Sequence, residues 1–295
     1  MTAIARSVGI VGVGNMGGAM AARLLEQGWG VGVCDLDPAK VAALESLGAM
    51  GRTTAAQAAA GCGALIVCVV DAAQTAQVLF GSNGAAAAMR PGQTVLLCPT
   101  IGPQDTEAIA RRLGASGIDA IDAPMSGGPQ RARDGTMSLM VACADAVFQR
   151  HRALIETLST RVFRISERPG DGAATKLVNN LVAGINLVGA AEALAMAQRL
   201  GLQLEKTLDV IEQSSGQSWI GSDRMRRAVA GDYEPRAHMT LLQKDTRLAI
   251  EAAAAAGFRG PLGSAAQQVF ERASEAGLAQ LDDAALFKFL SSIPG

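Results

Sequence analysis

The first apolar run of the chain ends in a glycine-rich turn, Gly12–Gly17, with the sequence Gly-Val-Gly-Asn-Met-Gly. A strand that leads into such a turn and then into a helix limits the fold, because each glycine has its own geometric task. Gly12 permits the tight turn, Gly14 lets the backbone approach a diphosphate, and Gly17 lets the helix lie close to the strand. The helix N-terminus adds N–H donors and a partial positive charge. The turn predicts a dinucleotide site, in which Asn15 and Met16 are further contacts.

The second apolar run leads to Asp35, which follows Gly17 at close to the roughly 20-residue spacing of a ribose-binding carboxylate. A carboxylate accepts hydrogen bonds from the ribose hydroxyls and repels a 2′-phosphate. The next residues, Leu36 and Asp37, offer no positive charge for a phosphate. Asp35 therefore predicts NAD as the cofactor in preference to NADP.

Short β-rich runs alternate with alanine-rich helical runs in the first half of the chain, which predicts βαβ units. Leu65–Val70 and Val95–Cys98 are continuously apolar, as strands are when helices cover both faces of a parallel sheet. We predict an α/β fold, in which an N-terminal Rossmann-type, doubly wound parallel sheet is followed by an all-α C-terminal domain. The predicted strands are Val8–Val13, Gly30–Asp35, Ala64–Val70, Thr94–Cys98, Ile118–Asp122, Ser138–Ala142 and Arg161–Ile165.

The second half of the chain shows helical patterns only. Glycines at the ends of these runs, such as Gly201 and Gly257, fit helix C-termini. We predict a dinucleotide-binding domain at residues 1–166 and a helical domain for substrate and oligomer contacts at 167–295. The predicted helices are 172–200, 204–213, 219–229, 240–256, 261–276 and 282–292.

The chain has 295 residues, a formal net charge of −1 and 49% hydrophobic residues. This length suits two domains, and the near-neutral charge gives no electrostatic attraction to nucleic acid or to an anionic membrane. The longest apolar stretch, Leu181–Ala197, is interrupted by Asn186 and Glu192, which favours a buried helix over a membrane span. We expect a cytoplasmic protein without a signal peptide, because the N-terminus leads directly into the first strand.

Cysteines and histidines lack the spacing of a metal site. The five cysteines form no Cys-x-x-Cys pair, and His151 and His238 are far apart in the chain. We therefore predict no metal and a reducing compartment. Arg224, Arg226 and Arg227 are the densest arginine cluster, for which a solvated or interface surface is favoured over a phosphate-binding site.

Lys176 lies in an otherwise apolar helical run and precedes Asn180 by one helical turn, so both residues share one helix face. A lysine on a buried helix is unfavourable unless a partner or a reaction retains it there. Beside a dinucleotide site, Lys176 predicts proton transfer coupled to hydride transfer, with this lysine as the general acid and base.

Four signatures follow one another along the chain: the glycine turn, Asp122–Gly128 (Asp-Ala-Pro-Met-Ser-Gly-Gly), Gly172–Asn180 (Gly-x-x-x-Lys-x-x-x-Asn), and the pair Lys244 and Asp245. With them the chain resembles the β-hydroxyacid dehydrogenase family over essentially its whole length. That family includes 3-hydroxyisobutyrate dehydrogenase, tartronate semialdehyde reductase and L-threonate dehydrogenase. Resemblance to the L-threonate dehydrogenase branch rests on Asn83–Gly84, Ser218–Trp219 with Arg224 and Met225, and Gly231–Tyr233.

The resemblance implies NAD-dependent oxidation of a short hydroxy acid, such as L-threonate or a 3-hydroxyisobutyrate-like β-hydroxy acid. Ser126, Gly127 and Gly128 would hold the substrate carboxylate, since two glycines let backbone N–H groups reach an oxyanion. A plain turn is the alternative. Asn180 would hydrogen-bond the substrate, and a satisfied buried amide is the alternative.

The resemblance also implies that Lys244 lies near the nicotinamide or the substrate and that Asp245 supports the lysines electrostatically. The residues alone would favour a surface ion pair between these two side chains. Trp219 could line the substrate pocket or belong to the core. The remaining predicted cofactor contacts follow strand ends: Val70, Asp71 and Thr100.

Two other functions remain open. One is the reverse reaction, reduction of tartronate semialdehyde (2-hydroxy-3-oxopropionate), with NADPH as a possible donor. The other is a catalytically inactive nucleotide-binding scaffold, against which Lys176 argues. The resemblance, together with four apolar residues of the long helix, predicts a homodimer or homotetramer; these residues are Leu187, Val188, Ala191 and Leu194.

Overall fold

The computed structural model describes residues 6–293. These residues form two compact units, of which the first ends at Lys176 and the second begins at Leu177. The division lies inside a long helix, later in the chain than the boundary predicted at 166/167.

The first unit contains one nine-stranded sheet. Its strands are β1 (Ser7–Val11), β2 (Gly30–Cys34), β3 (Met50–Gly51), β4 (Ala64–Val67), β5 (Thr94–Leu97), β6 (Asp119–Asp122), β7 (Met125–Ser126), β8 (Ser138–Ala142) and β9 (Arg161–Ser166). Its helices are α1 (Asn15–Glu26), α2 (Pro38–Glu45), α3 (Ala55–Ala59), α4 (Ala72–Phe80), α5 (Pro103–Gly114), α6 (Gly128–Asp134) and α7 (Asp145–Leu158), with a 3₁₀ turn at Ala85–Ala88.

The strand order is β3-β2-β1-β4-β5-β6-β8-β7, and β9 pairs with β8. All pairs from β3 to β6 are parallel, as predicted. The order reverses between β1 and β4, which is the crevice where open α/β sheets bind ligands. The predicted Rossmann-type parallel sheet is confirmed as a mostly parallel one, in which β8 is the exception because it runs antiparallel to both β6 and β7. The two-residue strands β3 and β7 were not predicted, because they are too short to show a period.

Strands β4 and β5 are buried along their whole length, which explains their continuous apolar sequences. Successive side chains of a strand point to opposite faces of the sheet. Leu65 and Val67 accordingly lie in one hydrophobic cluster, and Ile66 lies in the cluster on the other face. The carboxyl ends of these strands are thereby held at one rigid edge.

His151, on α7, is a buried imidazole whose Nε2 lies 2.7 Å from the hydroxyl of Thr94 at the start of β5. Burial, with a smaller contribution from the nearby Arg150, lowers the pKa of His151 to about 4 from 6.5, while Asp119 opposes the shift. The folded chain therefore keeps this imidazole neutral at a pH where an exposed imidazole is already charged.

We expect His151 to lower the unfolding free energy as the pH is lowered from about 6.5 to 4, because only the unfolded chain takes up a proton on His151 in that window. The contribution is present above 6.5 and is lost progressively below it, by up to about 3 kcal/mol. The unfolding free energy of the parent relative to that of His151→Gln, both measured by denaturant unfolding, should therefore fall across this window. His238→Gln, which removes a partly exposed imidazole, is the matched control. Equal slopes for His151→Gln and the parent would contradict the assignment.

The second unit is helical, as predicted. The long helix α8 (Asp171–Arg199) enters it, and α9 (Leu204–Glu212), α10 (Trp219–Val229), α11 (Met239–Ala255), α12 (Pro261–Ala273) and α13 (Leu286–Ser292) follow, with a π-helical turn at Ser274–Leu278 and a 3₁₀ turn at Asp283–Ala285. Leu187, Val188, Ala191 and Leu194 lie in the core of this unit. Their use as evidence for a subunit interface was therefore wrong. The exposed apolar residues of α8 are instead Val178, Val182 and Met196.

The arginine cluster of α10 is partly buried, so the prediction of a solvated or interface surface is wrong for two of its three members. Arg227 is 7% exposed, and its Nη1 lies 3.0 Å from Oδ1 of the fully buried Asp282. Arg224 pairs through Nε with Asp283. Only Arg226 is exposed. Buried charges are retained when they are paired, and here the partners come from a segment far along the chain.

Among the described residues, α8 is the one helix that is long and apolar enough to cross a membrane by length and composition. Core helices of globular proteins also meet these two criteria. In its most apolar window 44% of the residues are buried inside the protein, and its leucines contribute to the core of the second unit.

Candidate active site

The glycine turn follows β1 at the point where the strand order reverses. Gly12 has φ +87°, and a Cβ there would lie 2.5 Å from the carbonyl oxygen of Cys68. At Gly17 a Cβ would overlap the carbonyl oxygen of Gly12. Gly14 faces open space, with no atom within 4 Å of the position of a Cβ. The turn thus requires glycine at two positions for its own packing, and at the third it leaves the backbone open to a ligand.

Helix α1 begins directly after this turn, and no side chain caps its N-terminus at Gly14. Its first turn, which includes the exposed Asn15 and the half-buried Met16, carries no acidic residue. By contrast, α2, α3 and α4 are capped by the side chains of Asp37, Thr54 and Asp71. An uncapped start with N–H donors beside an open glycine fits the diphosphate of a dinucleotide.

Asp35 follows β2 and is fixed by two backbone hydrogen bonds. Val13 N–H donates to Oδ2 at 2.7 Å, and Asp37 N–H donates to Oδ1 at 3.0 Å. The carboxylate is therefore oriented at the glycine turn without help from a ligand. Because Val33 pairs with Gly51, the next residue, Arg52, lies beside the end of β2. Sequence reasoning missed Arg52, since its position depends on the register of the two-residue strand β3.

Three further predicted cofactor residues follow the neighbouring strands of the same sheet edge. Val70 and Asp71 come after β4; Val70 is 47% exposed, and Asp71 caps α4 by accepting from Gln74 N–H at 2.8 Å. Thr100 follows β5 and is half-buried. Because β1, β4 and β5 are parallel neighbours, these residues lie at the same edge as the glycine turn.

The predicted anion-binding segment Ser126–Gly128 is more ordered than a loop. Ser126 belongs to β7 and pairs with Ser138. Gly127 precedes α6 with φ +124°, and Gly128 begins that helix with φ +77°. Two consecutive residues in the left-handed region require glycine, and no atom lies within 4 Å of a Cβ at Gly128.

Asp122, which ends β6, begins the Asp122–Gly128 signature but is not among the predicted site residues. It is 1% exposed, and its Oδ2 accepts from Gly170 N–H at 2.8 Å and from Ala173 N–H at 3.0 Å. Burial raises the pKa of Asp122 to about 6, and the backbone donors of Ala173, Gly170 and Gly172 oppose this rise. The spacing of roughly fifty residues hides this contact from any local pattern.

Lys176 and Asn180 lie on α8, one turn apart, and each is 7% exposed. The prediction that this lysine lies on a buried helix face is confirmed. A lysine side chain buried to this extent is rare in proteins and is commonly associated with a partner or a reaction.

In the second unit, Asp245 of α11 links two predicted residues. Its Oδ2 accepts from Asn180 Nδ2 at 2.6 Å, and its Oδ1 lies 2.8 Å from Lys244 Nζ. Asp245 is 8% exposed and Lys244 is half-buried, so the ion pair expected at the surface is partly enclosed. Asn180 also accepts from Asn179 at 3.0 Å. Trp219 begins α10 and is 48% exposed, which overturns its alternative reading as a core residue.

Within residues 6–293, no group of three or more His, Cys, Asp or Glu side chains is arranged to hold a metal ion. The candidate residues of the first unit offer backbone donors, the carboxylate of Asp35 and the ammonium group of Lys176. Those of the second unit are the linked side chains of Asn180, Asp245 and Lys244. Backbone donors suit a diphosphate or another small anion, and a lysine can transfer a proton.

This arrangement of a sheet, a glycine turn and a carboxylate after the second strand is that of a Rossmann-type dinucleotide-binding domain, which a helical unit follows in the chain. Residues 7–166 match the model of the NAD-binding domain of 6-phosphogluconate dehydrogenase. Residues 170–290 match the model of the NAD-binding domain of NADP-dependent 3-hydroxyisobutyrate dehydrogenase.

Individual relatives agree over nearly the whole chain. L-threonate dehydrogenase of Escherichia coli (strain K12) is 38% identical, over 97% of this chain and 95% of its own length. The 2-hydroxy-3-oxopropionate reductase of the same strain is 32% identical, over 96% of each chain. The crystal structure of a 3-hydroxyisobutyrate dehydrogenase from Salmonella typhimurium has a TM-score of 0.91 and 39% identity, and it covers 96% of this chain and 99% of its own.

The chain belongs to the β-hydroxyacid dehydrogenase family, which confirms the resemblance seen in its four signatures. It is an NAD(P)-dependent oxidoreductase that acts on CH–OH groups.

Proposed function

We propose that this protein is an NAD-dependent dehydrogenase that oxidises a small hydroxy acid, either L-threonate or a 3-hydroxyisobutyrate-like β-hydroxy acid. The observation that carries the proposal is the burial of Lys176 on the same face of α8 as the equally buried Asn180. An ammonium group is costly to bury, and a proton-transfer role accounts for its retention. The substrate class follows from the similarity to L-threonate dehydrogenase and 3-hydroxyisobutyrate dehydrogenase.

When bound, the nicotinamide ring accepts the hydride that leaves the carbinol carbon. Lys176 Nζ takes the proton of the substrate hydroxyl during oxidation and returns it during reduction. The electron pair of the O–H bond then completes the carbonyl group, so protons and electrons balance.

The other predicted residues hold the substrate. Ser126 and the backbone N–H groups of Gly127 and Gly128 bind its carboxylate, which the two positive φ angles support. An amide nitrogen carries two hydrogens. Asn180 donates one to Asp245, which leaves the second for a substrate oxygen. Trp219 offers a partly exposed ring to the carbon chain.

On the cofactor side, we propose NAD because Asp35 presents an oriented carboxylate to the ribose. Lys244 contacts the nicotinamide or the substrate, and Asp245 stabilises its charge. The remaining proposed contacts are Gly12, Gly14, Asn15, Met16, Gly17, Val70, Asp71 and Thr100.

We also propose a homodimer or homotetramer in the cytoplasm. The exposed apolar side chains Val178, Val182 and Met196 on α8 support an interface between subunits. The five cysteines are free thiols, which suits a reducing compartment.

A second candidate is the reverse activity on 2-hydroxy-3-oxopropionate, which is favoured by the 32% identity to that reductase. Its substrate carries the same carboxylate and needs the same proton donor. Reduction and oxidation therefore make equal use of Lys176, and only rates can separate them.

We expect NADH to form when the protein is incubated with NAD and its hydroxy acid, with L-threonate, D-glycerate and 3-hydroxyisobutyrate as the test panel. NADH formation is followed by absorbance, in parallel with NADP. The reverse assay uses NADH or NADPH with 2-hydroxy-3-oxopropionate. A kcat/KM for reduction that exceeds every oxidation by more than about tenfold would favour the second candidate. No turnover in either direction, with NAD bound, would leave the scaffold alternative.

A further inference from the structure

Helix α8 begins where the chain leaves the sheet, and its first N–H groups need acceptors that the helix itself cannot supply. The carboxylate of Asp122 supplies them from the end of β6, through the bonds from Gly170 and Ala173 to Oδ2. Lys176 follows Ala173 by three residues, which is roughly 4.5 Å of helix rise. The contact therefore restrains α8 immediately before its lysine.

The glycine of the Gly-x-x-x-Lys signature has its explanation in the same contact. A Cβ at Gly172 would lie 2.9 Å from Cγ and Oδ2 of Asp122 and 3.1 Å from Oδ1. These are the three closest atoms to that position, so the carboxylate occupies the space that any larger residue would need. Two signatures far apart in the chain are thus parts of one joint, which consists of Asp122, Gly170, Gly172 and Ala173.

Asp122 also lies four residues before Ser126 on the same short stretch of chain, Asp122–Gly128. One end of this stretch fixes the start of α8, and the other end forms the segment to which the substrate carboxylate is assigned above. The distance between a proton-transfer group and a bound carboxylate must be held closely for reaction. The joint connects the start of α8 to the Asp122–Gly128 stretch and therefore sets that distance.

We propose that Asp122 is a positioning residue, which fixes the first turn of α8 against β6 and so places Lys176 relative to Ser126–Gly128. The proposal rests on the proposed role of Lys176. The other carboxylate of the same helix start, Asp171, is half-buried and pairs with Arg168 and with Ser166 at the end of β9. Of these two carboxylates, only Asp122 connects the helix to the stretch that also contains Ser126–Gly128.

Burial disfavours the ionised form of Asp122, because it raises the pKa of the carboxyl to about 6 from 3.8. A purely structural contact would not require an acidic residue at this position. The stability that this carboxyl contributes is present below 3.8, where it is protonated in both states, and is lost as the pH rises through 6. At neutral pH the ionised group opposes folding through its burial. The ionised carboxylate is nevertheless a strong, charge-assisted hydrogen-bond acceptor for the first amides of α8.

The test compares Asp122→Ala, Asp122→Asn and Asp171→Asn in the full-length protein, with the hydroxy acid found by the substrate panel. Asp122→Ala should lower kcat by about 10²-fold while the Kd for NAD, measured by calorimetry, changes by less than about threefold. Asp122→Asn should recover most of the activity, because its amide oxygen can accept both bonds made by Oδ2. Asp171→Asn, the matched control, should stay within about threefold of the parent in kcat.

A double-mutant cycle with Gly172→Ala tests the steric half of the proposal. Gly172→Ala alone should lower kcat by about tenfold, since its Cβ displaces the carboxylate. In the Asp122→Ala background the same change should have little further effect, because the obstructing group is gone. Equal losses in both backgrounds would refute the joint.

Amide hydrogen exchange provides a readout that needs no turnover. The first-turn amides of α8 should exchange at least about tenfold faster in Asp122→Ala and return to the parental rate in Asp122→Asn. Asp122→Ala could instead lose NAD affinity, melting temperature and kcat together, with no recovery in Asp122→Asn. That result would show that Asp122 only stabilises the fold. If Lys176→Ala stays active, the proposed function fails; if Lys176→Ala is inactive and Asp122→Ala is fully active, only the positioning role fails.

Discussion

Lys176→Ala is expected to lower kcat by about 10³-fold while NAD still binds with near-parental affinity. Removal of a positioned general acid or base costs 10²–10⁴ in rate, and no other lysine lies on this part of α8. The buried position of the side chain means that solvent cannot readily replace it. Steady-state kinetics of substrate oxidation, with calorimetric titration of NAD, would measure both quantities.

Two further variants separate chemistry from charge. Lys176→Arg keeps a positive group but cannot release its proton near neutral pH, so it should be nearly as slow as the alanine variant. Lys206→Ala, which removes an exposed lysine of α9, should keep parental kinetics. Small primary amines should partly restore turnover in Lys176→Ala, since they can enter the space that the side chain leaves. An alanine variant with more than about a tenth of the parental kcat would rule out Lys176 as the proton-transfer group.

The second large effect is expected at Asp35, where substitution by serine should shift the preference for NAD over NADP by about 10²-fold or more. Hydrogen bonds to a charged group contribute about 1.5–3 kcal/mol. Their loss weakens the binding of NAD, and the repulsion between the carboxylate and the 2′-phosphate of NADP disappears. The ratio of kcat/KM for the two cofactors measures the shift. Asp35 is already oriented by Val13 and Asp37, so its removal also frees these two N–H groups.

Matched variants identify the cause of this shift. Asp37→Asn removes a neighbouring charge and keeps a side chain that can cap α2, so it should change the preference by less than about threefold. Arg52 lies beside the end of β2 and becomes available to a 2′-phosphate once Asp35 is gone. We therefore expect the double variant Asp35→Ser/Arg52→Ala to lose most of the NADP activity gained by Asp35→Ser. An unchanged preference in Asp35→Ser would exclude Asp35 as the discriminating residue.

Much of the fold could be predicted because its signals are local. Continuous apolar runs identify β4 and β5, and the glycine turn with the following helix identifies the dinucleotide site. The one irregularity of this mostly parallel sheet is at β8, which runs antiparallel to β6 and β7. The strands that pair there have two to five residues, and the sequence of so short a strand does not indicate whether it pairs in the parallel or the antiparallel direction.

Some residues of the candidate site could likewise be recognised from local sequence signals, whereas others could not. Lys176 was recognisable because a charge stands out in an apolar helix, and Asp35 because its distance from the turn is characteristic. The burial of Asp245 beside the half-buried Lys244 was not predicted, since the sequence around the pair is that of an ordinary amphipathic helix. The burial of Arg224 and Arg227 was missed for a related reason: their buried carboxylate partners, Asp283 and Asp282, lie more than fifty residues away.

By itself the sequence determined the family, the glycine turn and the lysine of α8, and it predicted a ribose-binding role for Asp35, because each depends on residue types at fixed short spacings. Only the tertiary structure decided that Asp122 meets the start of α8, that Arg52 lies beside β2, and that Arg224 and Arg227 are enclosed with Asp282 and Asp283. The physical reason is that hydrogen bonds and ion pairs between distant segments arise from strand register and helix packing. Register and packing are properties of the assembled chain, and no single stretch of residues encodes them.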